Sequence, residues 1–258
     1  MSCIIYPSPI FGPIYSRRLG ISLGINLLPG GGKVCSFDCL YCECGFNKDH
    51  RSNTKLPSRE KVKTELETRL HQLDSEGIKL DVLTFAGNGE PTSHPQFAEI
   101  IDDVIELRNA YCPSAKISVL SNSTFIIRPQ VFNALLKVDN NILKLDTVDV
   151  NFIRLVDRPN SGYSLDRIIE TLIAFKGHLT IQTMFLKGNF DGIELNNTTD
   201  QYVNPWLEVL EKIQPQSVMI YTIDRETPVK SLQKATKEEL NQIRDKLIAK
   251  GFQVQVAY

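Results

Sequence analysis

The sequence predicts an α/β fold in which helices cover a parallel sheet. Apolar runs of strand length alternate with helical stretches six times along the chain. The strand-like runs are apolar and the helical stretches amphipathic, a pairing that buries a parallel sheet under helices. No internal repeat, low-complexity tract or linker interrupts the alternation, so residues 1–258 read as a single core domain with a short N-terminal lead-in and a C-terminal strand. Six βα units are too few for a full eight-unit barrel but enough for an open partial barrel. A flat doubly wound sheet fits the periodicity equally well.

The first strand is expected at 21–29 (ISLGINLLP), followed by a cysteine-rich loop. From Ser58 the chain reads as a helix, with Ser58 suited to cap it, Glu60 in its first turn and Gly77 to stop it. Residues 80–87 are a buried strand, 95–109 a helix, 116–122 a third strand and 129–137 a third helix. A fourth strand is expected from Asn141 (NILKLDTVDV), a helix over 164–175, and a fifth strand from His178. A helix over 205–213, a sixth strand from Gln216, a helix over 237–250 closed by Gly251 and a short alternating strand (FQVQVA) complete the pattern. Two long polar loops remain, 44–57 and 187–204. The second follows the fifth strand, so it is expected at the C-terminal mouth of the sheet, where such folds build active sites; the alternative is a solvated surface loop.

Composition narrows the function classes. With 42% hydrophobic and 23% charged residues, the 258-residue chain is ordinary for a soluble globular protein with a sizeable core. A net charge of −1 gives no support to a nucleic-acid partner held by a global positive field, and local basic residues are few: Arg17, Arg18 and Lys33. The N-terminal stretch lacks a basic region followed by an apolar one, and no apolar run reaches the roughly 18 residues of a membrane span. A cytoplasmic location without a membrane partner is therefore expected. A reducing compartment suits six cysteines that are thiols or cluster ligands rather than disulfides.

Cys35, Cys39 and Cys42 stand in the run CSFDCLYC, a C-x3-C-x2-C spacing with Tyr41 before the last cysteine. Three thiolates hold three irons of a cubane [4Fe–4S] cluster and leave the fourth iron open, whereas electron-transfer clusters normally have four cysteines. A zinc site would want four ligands, often as two CxxC-like pairs; Cys44 could be a fourth, but no second pair exists. Cys3, Cys44 and Cys112 read as ordinary thiols. The spacing resembles the radical S-adenosylmethionine (SAM) superfamily, and that resemblance favours the partial (β/α)6 TIM-like barrel over a flat sheet. It also implies the cofactors, a [4Fe–4S] cluster and SAM. In the superfamily the open iron chelates the amino and carboxylate groups of SAM, and the reduced cluster cleaves it to a 5′-deoxyadenosyl radical.

Further elements match. After the second strand, Gly87, Asn88, Gly89 and Glu90 form a turn whose glycines allow positive φ and close backbone approach. It resembles the superfamily element that holds the SAM amino group, with Asn88 where glycine is commoner; a plain strand-to-helix turn is the alternative. Asn122 follows the third strand and resembles a polar residue at the barrel mouth. Lys144 and Asp146, two apart on the fourth strand, share a face. By resemblance they reach the SAM ribose and carboxylate, although Lys144 replaces the usual serine; a Lys–Asp pair at an exposed strand end is the bland reading. On the fifth strand Gln182 is a candidate SAM contact and Met184 suits a core. Tyr41 is expected near adenine by analogy, and 221–228 (YTIDRETP) flanks adenine in relatives unless it is an exposed turn. A lysine such as Lys144 is also a candidate to form a Schiff base or steer a carboxylate.

The segments GPIYSRRLGISLGINLLP, KVCSFDCLYCECG, LTFAGNGEPTSHP and DRPN at Asp157 together resemble the group of wyosine-synthesising tRNA enzymes and their bacterial relatives. Arg17 and Arg18 carry over as candidates near SAM or substrate. The wyosine enzymes hold a second cluster on additional upstream cysteines, which Cys3 alone cannot build. The resemblance thus implies SAM chemistry, an electron donor such as flavodoxin or ferredoxin, and an unresolved small-molecule, peptide or RNA substrate. Competing readings are a tRNA modifier, a glycyl-radical activase and a non-catalytic iron–sulfur carrier or redox sensor.

Overall fold

The computed structural model describes residues 4–16, 19–50 and 52–258. Its strands are β1 (Ile10–Ser16), β2 (Gly20–Ile25), β3 (Val82–Phe85), β4 (Lys116–Ser121), β5 (Asn140–Lys144), β6 (Thr180–Met184), β7 (Leu186–Phe190), β8 (Ile193–Asn196), β9 (Ser217–Tyr221), β10 (Leu232–Lys234) and β11 (Val254–Ala257). The main sheet runs β1-β2-β3-β4-β5-β6-β9-β11. β1 is antiparallel to β2 and every other pair is parallel. The parallel strands curl into a half-barrel, the partial barrel expected from the sequence.

The helices are α1 (Arg59–Ser75), α2 (Phe97–Tyr111), α3 (Pro129–Leu135), α4 (Val150–Phe152), α5 (Leu165–Ala174), α6 (Asp200–Ile213) and α7 (Lys237–Ala249). The Ser58 hydroxyl caps α1 by accepting from Lys61 N, and Thr236 and Glu239 form a reciprocal capping box on α7. A π-helical turn, Ile153–Asp157, follows α4.

The pleat divides the sheet into two chemistries. Leu23, Leu83, Phe85, Ile117, Val119, Leu143, Ile181 and Val218 join the main apolar core with buried residues of the helices. Their neighbours along the strands pair by hydrogen bonds: Ser22 with Thr84, Ser118 with Asn140, and Thr180 with Ser217, each at 2.8 Å. One face is thus the core, and the other, which carries these polar pairs among apolar residues such as Leu120 and Met184, lines the lumen.

Four local expectations change. The lead-in expected before the first strand contains a strand of its own, β1, which follows Pro9 and carries Pro13 at its middle; as the edge strand it tolerates proline because its outer edge needs no ladder donor. The expected 187–204 loop is instead a hairpin, β7–β8, joined through Asp191 and Gly192, both at positive φ, and followed by the start of α6. β10 adds a third strand to that small sheet. α6 begins at Asp200, with Pro205 inside it, so it starts before the proline rather than at it. The fourth strand stops at Lys144, because Asp149 accepts from Phe152 N at 2.7 Å and starts a helix. Among the described residues, no helix is long and apolar enough to cross a membrane.

Candidate cluster and cofactor site

Cys35, Cys39 and Cys42 lie in the loop between β2 and α1, which lacks regular structure and is held by its neighbours. On one side Val34 forms a parallel bridge to Gly89: Val34 N donates to the Asn88 carbonyl at 2.9 Å, and Glu90 N to the Val34 carbonyl at 3.3 Å. On the other side Asp38 N donates to the Asp157 carbonyl (3.1 Å), Leu40 N to that of Val156 (2.9 Å), and Asn160 N to that of Ser36 (2.9 Å). The loop is clamped between the glycine turn after β3 and the segment 156–160.

The thiols are free; Cys35 feels the charge of Cys42, and Cys39 that of both Cys42 and Cys35. Phe37 N and Asn122 Nδ2 both approach Cys35 Sγ at 3.5 Å. Burial, with Glu90 nearby, pushes the Cys35 thiol up to about 12, and burial also drives Cys39 well up. Hydrogen bonding from Cys44 and the Lys33 charge outweigh burial at Cys42 and bring it down to about 6. Cys44 is buried, with Sγ 3.6 Å from the Gly87 carbonyl oxygen, and is pushed up by its bond to Cys42. Among the described residues, no three His, Cys, Asp or Glu side chains converge as one metal ion would need. A cubane asks for something else, since each thiolate binds a different iron, and hydrogen-bond donors to sulfur tune such a cluster. The donor set fits. Cys112 ends α2, away from this loop, and Cys3, Arg17 and Arg18 lie outside the described residues.

The glycine turn is built for contact with the chain itself. Gly89 has φ +135, and a Cβ there would lie 1.9 Å from the Val34 carbonyl oxygen; one on Gly87 would meet Asn26 Cγ at 2.6 Å. The Asn88 side chain is fully buried, accepts from Tyr6 N and donates to the carbonyls of Tyr6 and Pro29, each at 2.8 Å. It secures the segment entering β1. Glu90 is 1% exposed and accepts from Thr92 N (3.0 Å), Ser121 Oγ (2.9 Å) and Asn122 N (2.6 Å). Burial raises its pKa against these bonds. Asn122 is thereby set beside the cluster loop, where Nδ2 also donates to Ser36 Oγ at 2.9 Å.

Lys144 and Asp146 do meet, but in the interior rather than at an exposed strand end. Lys144 Nζ is paired with Asp146 Oδ2 and lies 3.1 Å from Asp157 Oδ1, with both carboxylates 2% exposed. The Tyr41 hydroxyl bonds Asp146 and, at 3.2 Å, Asp157, and Lys144 Nζ sits 4.7 Å from the Tyr41 ring centre. Burial pulls the Lys144 pKa down, but Asp146 and Asp157 more than offset it. The two carboxylates favour the ammonium, whereas a Schiff base needs the neutral amine. Burial, reinforced by Asp146, lifts Asp157 to about 7.

Gln182 is the register partner of Lys144 on the neighbouring strand. Its Nε2 donates to the Tyr221 hydroxyl at 2.8 Å, and its buried Oε1 has no partner. Met184 packs in a small apolar cluster with Leu40, Tyr41 and Ile223. Arg225 pairs with Glu43 at 2.8 Å and reaches the Tyr6 hydroxyl at 3.2 Å, while Glu226 pairs with Lys230 on the surface. A cavity of about 410 Å³ runs from Leu19 and Ser22 up to Cys42, Cys44 and Gly87, walled by Phe11, Tyr15, Leu120, Met184 and Tyr221.

Sequence reasoning missed Asp157 as a side chain of this site, although DRPN stood out as a motif. It also missed Lys33 as an interior group and Tyr221 as the partner of Gln182. The spacing of Tyr221, four residues into β9, places it at that strand's C-terminal end.

The sequence profile of the Radical SAM superfamily matches residues 31–194, which takes in the cysteine loop, the glycine turn and the elements from α1 through β7. The chain belongs to the Radical SAM superfamily. Members of this superfamily are enzymes that use a [4Fe–4S] cluster and SAM, and the chain is one of these enzymes. It is 32% identical to a UPF0026 protein of Helicobacter pylori over 90% of its own length and 71% of that protein's. It is 40% identical to UPF0026 protein MJ1312 of Methanocaldococcus jannaschii over 68% of its length, spanning about half, 53%, of that relative. Solved structures share the fold: a radical SAM methyltransferase from Sphaerobacter thermophilus (TM-score 0.66, 15% identity, 92% of this chain and 66% of that one) and Streptococcus suis SuiB bound to S-adenosylmethionine (0.63, 14%, 88% and 49%). TYW1 with a lysine–pyruvate adduct bound is similar to the same degree (0.62, 14%, 88% and 73%).

Proposed function

We propose that this chain is a radical SAM enzyme that abstracts hydrogen from a substrate held in the half-barrel lumen, with residues 1–258 acting as one core domain. Cys35, Cys39 and Cys42 would hold the [4Fe–4S] cluster. With SAM bound, the cluster supplies one-electron cleavage of SAM to a 5′-deoxyadenosyl radical. The protein's part is position and exclusion of water. Gly87 lines the cavity beside Cys42 and Cys44 and would face the amino acid end of SAM, with Asn88, Gly89 and Glu90 holding the turn in place behind it. Asn122 would orient the Cys35 side, and Tyr41, which lines the cavity and is held by Asp146 and Lys144, would bring that buried network to the ribose or carboxylate. Gln182 carries the buried acceptor of the set, Oε1. The apolar walls keep bulk water from a reactive radical.

The observation that carries this reading is the Val34–Gly89 bridge, which joins a three-thiol loop to the glycine turn at the mouth of a cavity reaching both. A flavodoxin or ferredoxin would supply the electron. The substrate is a small molecule, a peptide or an RNA whose reactive carbon reaches the lumen beside SAM. The test is electron paramagnetic resonance of the anaerobically reconstituted, dithionite-reduced protein. SAM should change the cluster signal, and Cys42→Ala should abolish it. A reduced-cluster signal indifferent to SAM would favour the carrier or sensor reading.

A further inference from the structure

Lys33 is buried against the cysteine loop. Its side chain is 1% exposed, Nζ donates to the Gly45 carbonyl at 2.6 Å, and Asp38 Oδ1 is 3.5 Å away. A buried ammonium is strongly unfavourable unless it is paired. Asp38 is a divided partner: its Oδ1 also accepts from Asn47 N at 2.7 Å, and its Oδ2 faces Arg158 at 3.9 Å. Gly45 closes the turn that carries Cys42, its N–H donating to the Cys42 carbonyl at 2.9 Å, so the bond from Lys33 Nζ to the Gly45 carbonyl seats the ammonium of this residue, two before Cys35 in the chain, against the cysteine turn. Lys144, the second buried lysine near Cys39, has its own pair in Asp146 and Asp157. Lys33 is therefore the cation that the loop leaves for the sulfurs.

We propose that Lys33 is the resident counter-cation of the three-thiolate cluster, a positioning residue whose fixed charge raises the cluster's reduction potential. The proposal rests on the cluster assignment made above. One electron added to the cluster adds one negative charge, and a fixed cation in a low-dielectric interior stabilises that state more than the oxidised one. Its consequence is a cluster that a donor of moderate potential can reduce before SAM arrives.

The experiment is an anaerobic redox titration, read by the reduced-cluster resonance, on reconstituted wild type, Lys33→Arg, Lys33→Gln and Asp38→Asn. Lys33→Gln keeps a donor for the Gly45 carbonyl and removes the charge. At fixed potential its ratio of reduced to oxidised cluster should fall at least tenfold, a midpoint lower by about 59 mV or more. Lys33→Arg should stay within about threefold of wild type on the same scale. Asp38→Asn removes a competing anion and should move the midpoint up. A wild-type midpoint in Lys33→Gln, or an equal fall in Lys33→Arg, overturns the proposal and leaves Lys33 a structural tie. If Lys33→Gln takes up no iron, Asp38→Asn decides: an unchanged or lower midpoint overturns the proposal. Failure of wild type itself to build a cluster would instead sink the cluster assignment.

Discussion

Replacing Gly89 by alanine separates a glycine kept for the site from one kept for a turn. At φ +135 a residue with a side chain carries a strain of about 1–3 kcal/mol. The added Cβ would stand 1.9 Å from the Val34 carbonyl oxygen and 2.5 Å from its carbon, both backbone atoms that no rotamer change removes. The bridge must open, losing two hydrogen bonds at about 1 kcal/mol each. The sum is about 3–5 kcal/mol, or roughly 6–20 °C in Tm for a chain of this size. Gly192→Ala is the control, because its φ is +81 but nothing lies within 4 Å. It should cost about 1 kcal/mol and lower Tm by about 2–4 °C. The helices and outer sheet face do not depend on the bridge, so far-UV circular dichroism at 20 °C should match wild type in both variants. Iron and sulfide uptake on anaerobic reconstitution should be lost in Gly89→Ala alone. Equal Tm values and equal uptake in the two variants would refute the claim that the turn holds the cysteine loop.

Three further outcomes follow from buried charge. Lys144→Met leaves Asp146 and Asp157 uncompensated and should destabilise by about 3–5 kcal/mol in urea unfolding. Asp157→Asn should behave differently: with Asp157 at about 7, the folded state holds a proton that the unfolded chain has already released, so wild type loses stability as pH rises from the ordinary aspartate range through 7. Melting curves from pH 5 to 8 should show that loss in wild type and a flatter profile in Asp157→Asn. His94 is 4% exposed, with Nε2 against the Pro57 carbonyl at 2.9 Å and Nδ1 accepting from Gln96 N at 3.1 Å, and burial lowers its pKa. Its contribution is complete above the unfolded value of about 6.5 and is lost as pH falls below it, so His94→Gln should be measurably less acid-sensitive between pH 6.5 and 5.

The parallel order of the strands and their helices was legible because burial on one face and amphipathic spacing leave a strong periodic trace. The cysteine loop was legible because three thiols at that spacing have few other uses. What escaped the sequence has physical causes. β1 hides behind prolines that only an edge strand tolerates. The β7–β8 hairpin hides in polar residues, because that small sheet buries only Leu186 and Leu195 along it, though Asp191-Gly192 was a readable turn signal. Asp157 could not be placed beside Lys144 from spacing, because the π turn after α4 brings it back across the sequence. Asn88 looked like a departure in a ligand-binding turn. Its amide is spent instead on Tyr6 and Pro29, which is the work a glycine there could not do.

The most direct measurement is 5′-deoxyadenosine formation by protein reconstituted anaerobically with iron and sulfide, then given dithionite and SAM. The account predicts product with wild type and none with Cys39→Ala. A stable cluster in wild type that neither binds nor cleaves SAM would contradict it.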